Sequence, residues 1–328
     1  MQPPPNTWMP DESAANPSIL VQELLQTLER RSVAWCQWKS TIDLDRAASG
    51  KSDLDLLVSR ADHPTLLEVL GRLGFRKADP PPEKSAAGTE SYFGYDPSAP
   101  RLIHAHVHYL LMVGHDLSKG YRLPLEEAFL SMTSMNGFFR VPAPELEYIA
   151  FVTRMVLKRG TADTILRGRG SLPSRDRAEL QWLEDRTSQQ KVDRVLQRYL
   201  PELDSVTINR CRAALRPESS SLELWRNGRQ IRSILSVQSP NSPAVDAGRR
   251  LERTVRYRVR KSIHGTAPRH SPGGGGFVAT VIGSDGAGKS TALQAITEWL
   301  SQDLNVLVVH LGRPPWSPLT ILVRGSMK

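Results

Sequence analysis

The segment Gly283-Ser-Asp-Gly-Ala-Gly-Lys-Ser-Thr291 has the spacing G-x-x-x-x-G-K-[ST], which joins a buried strand to a helix. The preceding run 277–282 is apolar and rich in β-branched residues, as a buried strand is. Apolar residues at helical spacing follow the loop, and a second apolar run covers 306–311. The order predicted around the loop is therefore strand, glycine loop, helix and strand.

This arrangement predicts a phosphate-binding loop. Glycines allow successive backbone N–H groups to point at one phosphate, and a helix that begins near Gly288 adds the positive end of its dipole. In such a loop Lys289 reaches the β- and γ-phosphates of ATP, and the Ser290 hydroxyl binds Mg²⁺. The alternative is a glycine-rich turn that binds nothing. The residues predicted to surround the nucleotide are Gly283, Ser284, Asp285, Gly286, Ala287, Gly288, Lys289, Ser290 and Thr291.

The loop resembles that of thymidylate kinases, which carry an acidic residue followed by glycine at this point. The resemblance implies ATP-dependent phosphoryl transfer to a nucleoside monophosphate, with Lys289 and Asp285 as catalytic residues and Asp285 facing the acceptor's sugar. It also implies that Arg313 approaches the acceptor phosphate. The resemblance covers about 276–328, whereas such a domain needs roughly 150–200 residues. We therefore expect an incomplete kinase-like domain, in a fragment or a naturally shortened protein.

Composition and periodicity divide the chain into five parts. Residues 1–16 are polar and proline-rich and predict a disordered tail. Mixed strand and helix patterns over 17–140 predict an α/β domain, and helical patterns over 141–263 predict a helical domain. Residues 264–276, with four consecutive glycines, predict a flexible linker to the P-loop part at 277–328.

A second candidate site lies in the first domain. Asp53 and Asp55 alternate on a predicted strand, so both carboxylates point to one face, where such a pair can hold the Mg²⁺ ions of a triphosphate. The order helix, strand, turn, Gly50-x-Ser-Asp-x-Asp55 resembles the nucleotidyltransferase fold, in which this pair binds the catalytic metals. The whole chain resembles bacterial proteins that pair a nucleotidyltransferase-like domain with a thymidylate-kinase-like one. If the pair holds a metal, its two adjacent carboxylates are expected to repel each other in the apo protein and to raise the pKa of one of them.

The chain departs from the nucleotidyltransferase pattern at two points. The small glycine-containing turn expected after the first strand reads Trp38-Lys39-Ser40, and the strand expected to supply a third carboxylate carries His104, His106 and His108 instead. By period two, the three histidines share one face. They either complete a metal site with Asp53 and Asp55, which favours a metal softer than Mg²⁺, or are structural.

Charge and composition restrict the partners. The formal net charge is +9, and the segment Arg249–Lys261 is strongly basic. That segment permits contact with nucleic acid or acidic lipid, although we favour a solvated helix face because its apolar side is thin. No apolar run approaches the ~20 residues of a membrane span. Two distant cysteines suggest neither a disulfide framework nor a metal site, which fits a cytoplasmic protein.

Three functions remain open from the sequence. The leading hypothesis is an ATP-dependent phosphotransferase acting through Lys289. The second is a metal-dependent nucleotidyltransferase acting through Asp53 and Asp55. The third is a nucleotide-binding or scaffold protein without turnover.

Overall fold

The computed structural model of the protein describes residues 16–117, 119–161, 172–238, 243–264 and 267–309. Within them the chain forms a mixed α/β fold with a mixed sheet and eleven α-helices. The first half contains α1 (Ile19–Arg30), β1 (Trp35–Gln37), α2 (Leu44–Ala48), β2 (Leu54–Val58), α3 (His63–Arg72), β3 (Arg76–Asp79), β4 (Thr89–Asp96), β5 (Arg101–His108), β6 (Met112–Val113), β7 (Tyr121–Arg122), α4 (Glu126–Ser131), β8 (Thr133–Asn136) and β9 (Phe139–Pro142).

The second half is mainly helical. Its elements are α5 (Pro144–Arg159), α6 (Ser174–Arg186), α7 (Gln189–Tyr199), α8 (Ser205–Ala214), α9 (Ser221–Leu235), α10 (Pro243–His264), the short strand β10 (Ser271–Pro272) and α11 (Lys289–Leu300). The long helices and most strands of the first domain agree with the periodicity within a few residues. Helix α1 begins at Ile19, where the Ser18 hydroxyl caps it by accepting a hydrogen bond from the Val21 N–H.

The main sheet has the order β1-β2-β5-β4-β3-β10. Strand β2 pairs antiparallel with β1 and parallel with β5, and β5 pairs antiparallel with β4. The parallel pair is central to the sheet, and Leu54 of β2 lies opposite Ala105 of β5. This register decides which side chains of the two strands meet.

Each face of the sheet belongs to a different core. Leu56 of β2 and Val107 of β5 face α1 and α3 in one apolar cluster. On the opposite face, Cys36 and Leu57 join a second cluster that continues through α5 into the other helices of 172–235. This second cluster contains residues from both sides of the predicted boundary near residue 140, because the helical part covers one end of the second sheet face.

The C-terminal part departs from two expectations. Residues 277–282 form no strand, and Val278 and Ile282 are 94% and 87% exposed. Residues 306–309 also have no ladder partner among the described residues, and 310–311 lie outside them. A strand is stable only when neighbours satisfy its backbone and cover its side chains, and α11 buries none of its residues.

Residues 269–273 of the predicted linker contact the edge of the main sheet. Within it, β10 pairs with β3, and the Gly273 N–H donates to the Lys77 carbonyl at 2.8 Å. The Asn305 side chain donates to the Arg269 carbonyl at 2.7 Å and accepts from the Arg269 N–H at 3.0 Å. These backbone contacts, which composition does not reveal, fix residues 269–273 at the edge of the sheet.

Candidate metal site

The parallel pairing of β2 and β5 brings the predicted acids and histidines together. Asp55 lies opposite His106 in the register, and the Asp53 Oδ1 is 2.9 Å from His104 Nδ1. His108 follows two residues further along the same face and is buried. Because side chains alternate along a strand, the intervening residues of β5 enter the apolar core on the other face.

One carboxylate oxygen is the centre of the cluster. Asp55 Oδ1 lies 3.2 Å from His106 Nδ1 and 3.4 Å from His108 Nε2. One ligand atom from each of these three residues lies within 4.8 Å of the others. Tetrahedral bonds of about 2.0–2.1 Å place neighbouring ligand atoms about 3.3–3.4 Å apart, so both distances match the edges of a zinc-sized coordination sphere.

A lysine already occupies the side of Asp55 where a cation would bind. Lys39 Nζ lies 2.8 Å from the same Oδ1, and both side chains are mostly buried. The turn that carries Lys39 is anchored at Thr41, whose N–H and hydroxyl both donate to the Glu147 carboxylate of α5. Burial raises the Glu147 pKa to about 7, although the Thr41 hydrogen bonds oppose this shift.

The two aspartates do not show the predicted mutual repulsion as a raised pKa. Burial opposes the ionisation of Asp55, but Lys39 and the hydrogen bonds from His106 and His108 outweigh it and hold its pKa well below the usual range. Burial likewise acts against Asp53, yet His104 lowers the pKa of Asp53 overall. The expectation that one carboxyl pKa is raised is therefore wrong, because positive and hydrogen-bonding partners surround each acid.

Asp55, His106 and His108 form a triad of candidate metal ligands. The two histidines of this triad have the protonation state of metal ligands. Burial lowers the pKa of His106, although Asp55 partly opposes this effect. Burial, followed by the neighbouring His106, lowers the pKa of His108 well below its usual value. Both imidazoles are therefore neutral at pH 7 beside an ionised carboxylate. The ring N–H groups that face Asp55 Oδ1 would have to move to the other ring nitrogen for a metal to bind there, but no net proton would be released.

Further cations face the same carboxylate. Lys119, in the turn after β6, loses solvation and also feels the charges of Lys39 and Arg154, so that its pKa falls to about 8. The Arg154 guanidinium, from α5, lies over the Trp38 ring at 5.9 Å from the centroid. Lys39 and Lys119 therefore both act on the Asp55 charge, whereas Arg154 pairs with Glu179 at 3.7 Å. The two lysines make this end of the cluster suited to phosphate as well as to metal.

The other end of the histidine row is covered by the segment that follows α10. The His104 ring stacks on Phe93 with centroids 4.5 Å apart and meets His270 edge-on at 5.0 Å. Burial and then His104 lower the His270 pKa to about 4. Asp53, whose side chain is 55% exposed, remains open to solvent beside this covered end.

The predicted phosphate loop is bent but surrounded by solvent. Gly286 and Gly288 have φ of 79° and 76°, values that favour glycine, and α11 begins at Lys289 as predicted. Lys289 Nζ donates to the Ser284 carbonyl at 2.6 Å and lies 4.0 Å from Asp285 Oδ1. The loop residues 283–289 are all wholly or partly exposed, and Ser290 and Thr291 follow in the first turn of α11. Arg313, predicted to approach the acceptor phosphate, lies outside the described residues.

Sequence reasoning missed four contributors to the acid–histidine cluster. In the sequence, Lys39 appears only as a departure from the expected glycine-containing turn. Lys119, Arg154 and His270 lie near the cluster because of contacts between distant parts of the chain. The only available signal was the replacement of a small turn residue by lysine just after β1. No family model, curated protein or solved structure matches the chain.

Proposed function

We propose that the protein is a metal-dependent transferase acting on phosphate esters, of the nucleotidyl-transfer type, and that Asp55, His106 and His108 hold its metal. The observation that carries this proposal is the convergence of two imidazole nitrogens on Asp55 Oδ1 at 3.2 and 3.4 Å. The element order α1-β1-α2-β2-α3, followed by a strand parallel to β2, supports the resemblance to nucleotidyltransferases. Nucleotidyltransferases carry a third metal-binding carboxylate on a neighbouring strand. In this proposal His106, which lies opposite Asp55 on β5, takes the place of that carboxylate.

The donor set favours Zn²⁺ or Mn²⁺ over Mg²⁺. Mg²⁺ prefers oxygen ligands in octahedral geometry, whereas two of the three ligands here are imidazoles. Imidazole and carboxylate together suit Zn²⁺, and a site with three protein ligands keeps a position for substrate. When bound, such an ion polarises a phosphoryl oxygen and stabilises the negative charge that develops there.

The surrounding residues have separate roles in this proposal. Lys39, now 2.8 Å from Asp55 Oδ1, would have to leave this oxygen for a metal to be held there, and its ammonium group would then be available for phosphate oxygens. Lys119 adds positive charge on the same side and favours a polyphosphate over a neutral substrate. Asp53 has a lowered pKa and a half-exposed side chain, so an acceptor that enters from solvent could reach its carboxylate.

Metal titration of the full chain tests this proposal. We expect saturable 1:1 binding of Zn²⁺ and Mn²⁺, with weaker binding of Mg²⁺. Asp55→Asn and His106→Gln each remove one ligand, and losing even a supporting group of a metal site typically costs 10–100-fold in affinity. His63→Gln is a matched control, because this histidine, the first residue of α3, contacts the Tyr109 hydroxyl instead of the triad.

Turnover is measured as pyrophosphate release from nucleoside triphosphates in the presence of each metal. We expect release that depends on Zn²⁺ or Mn²⁺ and disappears in Asp55→Asn. If Asp55→Asn and His106→Gln bind zinc as the control does, the metal assignment is wrong. If metal binds at the triad but no triphosphate is bound or turned over, the proposal of transferase activity is wrong and the site is a binding site alone.

A second candidate function is ATP binding by the loop at 283–291. The observation that favours it is the bent loop, in which two glycines have positive φ and Lys289 already folds over the Ser284 carbonyl. A thermal shift with ATP and Mg²⁺ tests it, with Lys289→Ala as the variant. An equal shift in both proteins excludes the phosphate loop as the site.

A further inference from the structure

Helix α10 exposes a narrow apolar stripe to solvent. Leu251, Val255 and Val259 are four residues apart and therefore lie along one face. Their exposed fractions are 68%, 52% and 49%. Exposed aliphatic side chains in a row, rather than scattered singly, indicate a surface that is covered in use.

Basic residues flank this stripe. The helix contains seven basic and two acidic residues, which makes it strongly positive. By helical spacing Arg258 and Lys261 lie on one side of the stripe and Arg256 on the other, and all three are exposed. An apolar stripe between long basic side chains is the pattern of a helix that lies in the headgroup region of a bilayer.

The opposite face of α10 is attached to the α/β part of the chain. Arg253 Nη1 donates to the carbonyls of Ser85 and Leu117, each at 3.1 Å. Arg260 pairs with the buried Glu83 at 3.3 Å. These contacts fix which face of the helix is turned outward, and they join it to the turn that leads to Lys119.

We propose that the outer face of α10 docks on an anionic lipid bilayer. Opposite charge attracts the arginines to acidic headgroups, and the aliphatic stripe enters the acyl boundary. Nucleic acid is less suitable, because phosphate contacts alone leave Leu251, Val255 and Val259 in water. The helix lies on the surface rather than across it, since none of the helices in the described part of the chain is both long and apolar enough to span a bilayer.

Vesicle sedimentation of the full chain tests this proposal. We expect binding to vesicles of 70% phosphatidylcholine and 30% phosphatidylglycerol, and much weaker binding to pure phosphatidylcholine. The double variant Arg258→Gln/Lys261→Gln removes two surface charges and should weaken binding by roughly 30-fold at low salt. Its matched control is Lys191→Gln/Arg194→Gln, which removes two exposed charges from α7 and should bind as the unmodified chain does.

A second variant separates lipid from nucleic acid. Leu251→Ser/Val255→Ser should reduce vesicle binding by about tenfold or more through loss of apolar burial, while Leu222→Ser, an exposed position on α9, should not. Far-UV circular dichroism verifies that the helices persist. Absence of binding to the anionic vesicles overturns the proposal. Equal vesicle binding by Arg258→Gln/Lys261→Gln and by its control Lys191→Gln/Arg194→Gln also overturns it. Double-stranded DNA binding that Leu251→Ser/Val255→Ser leaves unchanged, with no vesicle binding, identifies nucleic acid as the partner instead.

Discussion

Replacing Lys39 with methionine should strengthen metal binding at the triad. In the structure Lys39 Nζ lies 2.8 Å from Asp55 Oδ1, the oxygen that would coordinate the ion. A metal and the ammonium group compete for this oxygen, because both are cations that need the same carboxylate. Methionine retains much of the length of the lysine stem and removes the charge, so the competitor is lost with little change in packing.

The magnitude follows from the interaction that metal binding must break. Both side chains are largely buried, with 21% and 10% of their surface exposed, so the ion pair is not fully screened by water. A hydrogen bond to a charged group contributes about 1.5–3 kcal/mol net. Removing this cost should tighten Zn²⁺ binding by roughly 10- to 150-fold, since about 1.4 kcal/mol is a factor of ten. Without metal, the variant should be less stable, because Asp55 loses its counter-ion.

The assay is competition for Zn²⁺ against a chromophoric chelator, combined with thermal unfolding. Zn²⁺ should raise the melting temperature of Lys39→Met more than that of the unmodified chain. Lys39→Arg keeps the charge and is the matched control, with affinity close to that of the unmodified chain. If Lys39→Met binds Zn²⁺ no more tightly than Lys39→Arg, Lys39 does not compete with a metal and the reasoning fails.

Three further predictions concern other parts of the chain. Glu147 has a pKa of about 7 in the fold, above its ordinary value, so its contribution to the unfolding free energy is most favourable below pH 4. The protein should therefore lose about 3 kcal/mol of unfolding free energy as the pH rises to 7. In urea titrations Glu147→Gln should abolish this loss, whereas Glu127→Gln, at an exposed position, should not. Leu56→Ala, in the fully buried centre of β2, should cost about 2–5 kcal/mol of unfolding free energy, and an equal Cm in urea would contradict the assigned core. Hydrogen exchange should be fast over 277–282, which have no ladder partner among the described residues, and slow in β5; strong protection of 277–282 would contradict this account of the C-terminal part.

Local patterns predicted the first half of the fold well. The alternation around Asp53 and Asp55 indicated β2, and period two placed His104, His106 and His108 on one face of β5. These signals depend on residues close in sequence, and burial of one face strongly enforces them. That β2 and β5 are parallel neighbours is a property of the topology, and their register, not the spacing, determines that Asp55 meets His106.

The errors arose where distant contacts decide the outcome. Pattern alone assigned a strand to 277–282, yet an apolar run becomes a strand only when other strands pair with it. The glycines at 273–276 predict flexibility, and composition does not reveal the backbone hydrogen bond from Gly273 to the Lys77 carbonyl. Two adjacent acids considered alone predict a raised pKa for one carboxyl group. The sequence does not reveal that Lys39 lies against Asp55 and lowers its pKa instead.

The most direct test of the metal site is X-ray absorption spectroscopy of the full chain loaded with one equivalent of Zn²⁺. The structure predicts a first coordination sphere with two imidazole nitrogens and at least one carboxylate oxygen at about 2.0–2.2 Å, supplied by Asp55, His106 and His108. His106→Gln should remove one imidazole from the spectrum, whereas His63→Gln should leave it unchanged. A zinc sphere without imidazole, or one that His106→Gln does not alter, would contradict the assignment of this site.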